Sequence, residues 1–146
     1  MISTVIGVIT LLAGLLAWLG QSLAFVAPTA AVKLGVLEPE EEIDPTLYVV
    51  ETYAMGLSDL LLAWTLPVSA LLMLVGHAAW PYLALFGSGV YVYFSAVTML
   101  SRVYLKSRGK KVGRVTSVRA AYVFGVIWVA CSVAMTVAAV THLSRG

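Results

Sequence analysis

Three charged side chains stand well inside long apolar stretches of this 146-residue chain: Glu51, Asp59 and Arg102. Charge inside a membrane segment is costly and points to a functional or register-setting site by default. Glu51, Met55 and Asp59 recur at i, i+4 and i+8, with Tyr48, Thr52 and Ser58 alongside, so both acids fall on one helix face. Ser88, Tyr91, Ser95, Thr98 and Arg102 recur at spacings of 3, 4, 3 and 4, a polar stripe at heptad period. Two helical turns hold Glu51 and Asp59 about 12 Å apart, too far to share a proton in the manner of a catalytic carboxylate pair. The two helices are antiparallel across a short turn centred at about residue 79, so facing residues have numbers adding to about 158. That arithmetic predicts an Asp59–Arg102 ion pair beside Thr98, with Glu51 meeting Lys106 or Arg108 near the surface. The cluster Glu51, Asp59, Ser95, Thr98, Arg102 and Tyr91 is therefore expected either to pin helix register or to hold a proton, an ion or a lipid headgroup.

Other chemistries find less support. His77 and His142 fall at the ends of helices pointing the same way, and such a pair could ligate a b-type haem, although interfacial histidines more often cap helix ends. The only cysteine, Cys131, lies in an apolar run, which excludes an intramolecular disulfide and a thiolate metal cluster. Neither a nucleophile-elbow sequence nor a zinc-protease motif occurs, so no catalytic residue and no metal site is expected. Gly87, Ser88 and Gly89 are glycine-rich, but a phosphate cradle needs a preceding strand and a following lysine, and neither is present. Close helix packing through small residues is the better reading, and Ser3, Gly7, Thr10, Gly14, Ala17 and Gln21 form a second such seam. No cofactor is predicted, with haem or quinone as minor alternatives.

Composition dictates the elements that must carry these residues. Hydrophobic residues make up 61% of the chain and charged ones 11%, against roughly 45–50% and 25% in soluble proteins. A bilayer is spanned by about 20 apolar residues, so four spans and short connections use up the whole length. The expected fold is all-α: an antiparallel bundle of four transmembrane helices forming a single domain, 1–146. The helices are placed at about 2–26, 47–76, 82–105 and 117–143. The first lacks the basic flank and short apolar core of a signal peptide and is read as a membrane helix. Prolines break the acidic loop 27–46, whose apolar part near 30–37 could form a short interfacial helix, while Pro67 is expected to kink the second span.

Seven of the nine basic residues lie between Arg102 and Arg119, centred on a basic loop at 106–116. By the positive-inside rule this loop is cytoplasmic, the acidic loop 27–46 lies beside it, and both termini are outside. The two loops carry opposite charge and either dock together or stay separately solvated. Anionic lipid is the expected partner of Lys106 to Arg114, since no interleaved aromatic residues suggest nucleic acid. Residues of the second and third spans carry a resemblance: Glu51 and Asp59, Ala63-Trp64-Thr65-Leu66, Trp80-Pro81-Tyr82, the run Gly87 to Phe94, Arg102, Gly109 and Gly113. On these the chain resembles a family of small four-helix bacterial integral membrane proteins with no assigned activity, and in size and hydropathy it looks like DoxX-type proteins. The resemblance implies a bundle in the bacterial plasma membrane and carries no function. The preferred expectation is a non-catalytic membrane subunit or scaffold whose polar face binds a headgroup or small ligand. An oligomeric proton, ion or solute transporter and a quinone- or haem-linked redox protein are the alternatives, and a homo-oligomer or a place in a larger membrane complex is expected.

Overall fold

A computed structural model describes residues 2–145. It contains four helices long and apolar enough to cross a membrane, and the protein is an all-α integral membrane bundle. We number the helices α1 (Ile2–Val26), α2 (Pro28–Lys33), α3 (Pro45–Leu74), α4 (Trp80–Ser107) and α5 (Val115–Leu143). The spans differ from the sequence expectation chiefly in α3 and α4. α3 stops at Leu74 rather than Gly76, and α4 starts at Trp80 rather than Tyr82, with Pro81 in its first turn. A proline there fixes a helical φ and gives up an N–H that the first turn cannot use anyway. The short helix expected near 30–37 is α2, which begins earlier, at Pro28, and ends before Gly35, whose φ of 71° only glycine adopts readily.

The helices form a ring in chain order, closed where α5 returns to α1. Small residues set each contact. A Cβ on Gly7 would lie 2.8 Å from Leu74, and one on Gly14 would lie 3.0 Å from Pro67, so the α1 seam is filled by α3. A Cβ on Gly87 would lie 2.7 Å from the Leu66 backbone nitrogen, which marks the closest approach of α3 and α4. Gly125 receives Met99 between α4 and α5. The Trp128 indole N–H donates to the Ala13 carbonyl at 3.0 Å and ties α5 to α1 near mid-bundle. Ile9, Leu12, Leu16 and Leu19 of α1 and Val126, Val133 and Val137 of α5 are exposed, the outward apolar surface that acyl chains require.

α3 is not one regular helix. Residues Val50–Met55 form a π-helical turn that carries Glu51, and the ladder breaks again at Ala63 and Trp64. Pro67 has no N–H to give the carbonyl four residues back, that of Ala63. The Tyr91 hydroxyl shares its one proton between that carbonyl, at 3.0 Å, and the Gly14 carbonyl, at 2.8 Å. The three preceding carbonyls also accept from side chains: Leu60 from Trp18, Leu61 from Trp64 and Leu62 from Thr65. The break is thus held by side-chain donors, as a polar backbone in hydrocarbon demands.

The acidic and basic loops dock at one end of the bundle. Ile43 pairs with Val112 in an isolated antiparallel bridge, the Asp44 N–H donates to Lys111 O at 2.9 Å, and the Gly113 N–H donates to Glu42 O at 3.1 Å. Charges reinforce this clasp: Lys110 Nζ lies 3.4 Å from Asp44 Oδ2, and Arg114 Nε donates to Glu38 Oε2 at 3.1 Å. Burial pushes the Asp44 carboxyl up, but the Thr46 N–H and the Lys110 ammonium outweigh it and hold the group below the usual carboxylate range.

Candidate functional site: an amphipathic cavity between the first and last spans

The α3–α4 register differs from the sequence arithmetic by about one helical turn. Glu51 meets Arg102, Ala63 meets Tyr91, and Leu66 meets Gly87, pairs whose numbers add to 153 or 154 instead of about 158. The cause is the turn. With α3 ending at Leu74 and α4 beginning at Trp80, the turn centre lies near residue 77, and each residue moved at the centre moves the facing partner by two.

This shift decides the charge pairing. Arg102 does not pair with Asp59, and Glu51 meets neither Lys106 nor Arg108. The Arg102 guanidinium instead holds Glu51 through both terminal nitrogens, Nη1 on Oε1 and Nη2 on Oε2 at 3.0 Å, and Nη1 also donates to Thr98 O at 3.1 Å. The side chains are 9% and 13% exposed, and a fork-to-fork pair so enclosed fixes geometry as well as charge. Asp59 is 6% exposed, its Oδ2 has no hydrogen-bond partner among the described residues, and the register sets it level with Phe94 and Ser95.

The six cluster residues therefore separate. Glu51, Thr98 and Arg102 line a cavity of about 450 Å3 at the loop end of the bundle. Tyr91, Ser95 and Asp59 are buried deeper in the same protomer and do not line it. The cavity is a wedge between α1 and α5, which touch at Trp128 and Ala13 and spread toward the clasped loops. Its volume falls within the roughly 300–1,000 Å3 of small-molecule sites. Val36, Leu37 and Glu38 of the first loop form its roof. Phe94 and Trp128 form its floor with ring centroids 5.3 Å apart, and Phe124 stacks on Trp128 at 5.7 Å. Leu16 and Leu19, both on the exposed side of α1, edge the wedge toward the bilayer.

Gln21, Glu38, Phe94, Ser117 and Trp128 also line the cavity, outside the cluster that helical periodicity picks out. Gln21 was the legible signal, a polar residue in an otherwise apolar first span. Glu38 was visible only as one of a run of acids, and its burial, 6% exposed, comes from the loop clasp.

His77 and His142 stand at the opposite end, where a second, more open hollow of about 860 Å3 involves Ile2, Ser3, Trp80 and His142. The His77 Nδ1 accepts the Ala79 N–H at 3.2 Å, and the His142 ring lies 5.3 Å from that of Trp80. Both histidines are exposed, and Trp80 is inserted beside His142 next to the turn that His77 caps. Among the described residues no three His, Cys, Asp or Glu side chains are grouped to hold a metal ion. Searches against protein-family models, curated proteins and solved structures give no match to this chain.

Proposed function

We propose that this protein is a non-catalytic membrane component that binds a bilayer amphiphile, with the polar head beside Glu51 and Arg102 and the tail between α1 and α5. The observation that carries the reading is the cavity itself: its polar lining, the Glu51–Arg102 pair with Thr98, Gln21, Glu38 and Ser117, belongs to the loop end of the bundle, and the rest is aliphatic and aromatic. Such a wall matches a molecule with one polar end and one oily end, and it opens sideways to where such molecules reside. The polar stripe of α4 supports binding within a protomer rather than conduction along a symmetry axis, since Ser88, Tyr91, Ser95, Thr98 and Arg102 are all buried in the single chain.

In this reading the clasped loops face the cytoplasm of a bacterial plasma membrane and both termini face outward. The support is the concentration of seven basic residues between Arg102 and Arg119. Anionic lipid headgroups would meet Lys106, Arg108 and Lys110 around the clasp, and these are exposed.

Native mass spectrometry of the protein released from lipid nanodiscs tests the reading. The expected spectrum shows about one retained amphiphile per chain, lost in Ala121→Phe, which fills the wedge from α5 while circular dichroism shows the helices intact. Retention that is equal in the plugged variant would place the amphiphile elsewhere and overturn the proposal.

A further inference from the structure

We infer that the amphiphile taken by this cavity has an uncharged head bearing hydroxyl or carbonyl oxygen, as in a diacylglycerol, an isoprenoid alcohol or a quinone, and not a phosphate or an amine. The inference rests on the amphiphile-binding reading and adds the chemistry of the head. Its basis is the state of every polar group in the wall.

The charges there are already paired, and of the Arg102 nitrogens only the buried Nε lacks a partner among the described residues. Arg102 gives both terminal nitrogens to Glu51, and Glu38 takes the Arg114 Nε–H. The two carboxylates are thus balanced by two guanidinium groups, and the wall is neutral. A phosphate could meet Arg102 at its one unpartnered nitrogen, Nε, but it would add net negative charge to a neutral wall, and any second contact would displace Glu51, leaving a carboxylate unpaired in an apolar enclosure, which is the costly way to break a buried pair. An ammonium group would bring a charge into a wall that has no surplus anion, losing its hydration without gaining a counter-ion.

Neutral hydrogen-bonding capacity, by contrast, is available: the Thr98 hydroxyl beside the ion pair is buried without a hydrogen-bond partner among the described residues. The Gln21 amide and the Ser117 hydroxyl line the cavity from α1 and α5, half-buried, and among the described residues neither side chain hydrogen-bonds to protein. Each can donate and accept. Glu38 has a second oxygen beyond the one engaged by Arg114 and can accept from a hydroxyl. Gln21 and Ser117 belong to the two helices that form the wedge, so a head between them is met from both sides.

The route agrees with an uncharged molecule. Val36 to Glu38 cover the cavity toward the membrane surface and are fastened by the Glu38–Arg114 pair and the Ile43–Val112 bridge. Leu16 and Leu19 leave it edged by hydrocarbon on the bilayer side. A head that reaches Gln21 from that side crosses acyl chains, where a charge is expensive and a hydroxyl or carbonyl is not.

The test is competition in phosphatidylcholine nanodiscs, read by native mass spectrometry. Equal amounts of diacylglycerol, a long-chain isoprenoid alcohol, a quinone, phosphatidic acid and a long-chain amine are offered together. The expected result is retention of one or more of the three uncharged species at least about tenfold over both charged ones, a difference one hydrogen bond or one lost ion pair can supply. Which of the three dominates identifies the source of the head. Gln21→Leu should lower that retention several-fold without changing the helix content, and Ser117→Ala should act in the same direction. Phosphatidic acid or the amine bound as well as the uncharged species, in a manner abolished by Ala121→Phe, would overturn the head assignment while leaving amphiphile binding intact. No cavity-dependent retention of any species would overturn both.

Discussion

Arg102 reaches across from α4 to grip Glu51 through both carboxylate oxygens, while Asp59, two turns further along α3, makes no ion pair among the described residues. Of two acids on one helix face, the one in the π-helical turn takes the charge pair. The other stands alone in the interior.

Substitutions should separate the two acids. Glu51→Ala or Arg102→Ala removes one member of an enclosed pair and should cost about 3–5 kcal/mol, with strong coupling in the double variant. Asp59→Asn keeps the shape, removes a lone carboxyl, and should leave thermal stability unchanged or raised. Thermal unfolding in detergent followed by circular dichroism checks all of these. Coupling of Arg102 to Asp59 that equals its coupling to Glu51 would contradict the observed pairing.

Tyr91 and Pro67 should also be coupled. Tyr91→Phe withdraws the hydroxyl from the Ala63 and Gly14 carbonyls and should cost about 1–3 kcal/mol, the penalty of leaving the buried Ala63 acceptor, which Pro67 cannot serve, unmet. Pro67→Ala restores a backbone N–H to the Ala63 carbonyl, so in that background the loss from Tyr91→Phe should be smaller. Equal losses in the two backgrounds, measured by the same melts, would mean that the tyrosine does not serve the proline break.

Neighbouring glycines of α4 give a sharp contrast. A methyl on Gly87 would meet the Leu66 backbone at 2.7 to 2.9 Å, whereas one on Gly89 meets nothing within 4 Å. Gly87→Ala should force α3 and α4 apart and destabilise by about 1–3 kcal/mol. Gly89→Ala should be neutral or stabilising by up to about 1 kcal/mol, the helix preference of alanine over glycine. Melting temperatures of the two variants, prepared side by side, decide it.

Acid should loosen the loop clasp before it touches the bundle. Asp44 is held below the usual carboxylate range when folded, so its contribution is fully present above the unfolded value, about 4, and is lost as pH falls through the lower folded value. Hydrogen exchange at the Asp44 and Gly113 amides, both bonded across the clasp, should speed up below about pH 4 while amides of α4 stay protected. Lys110→Ala should move the onset to higher pH, because one of the two groups lowering the Asp44 value is gone. An unchanged onset would show that Lys110 does not act on Asp44.

The legible part of the fold was what depends on composition and local order. Four apolar runs had to become spanning helices because hydrocarbon leaves no other way to satisfy the backbone, and Pro28, Pro39 and Pro45 had to interrupt the first loop. The identities of Glu51, Thr98 and Arg102 as interior polar residues were readable from periodicity. Their partners were not, because facing positions depend on the turn centre with a lever of two, and an error of two residues at the turn exchanged Asp59 for Glu51.

Sequence by itself thus determined the number of spans, the membrane location and the face of the first three spans that avoids lipid, since all three follow from hydrophobic runs and from period. Only the tertiary structure decided which charges meet, that Tyr91 belongs to the Pro67 break, that the two loops clasp, and that α1 and α5 spread to leave a cavity. Those outcomes depend on how far apart the helices stand and where each begins, quantities fixed by small residues and capping prolines acting across the bundle rather than along the chain.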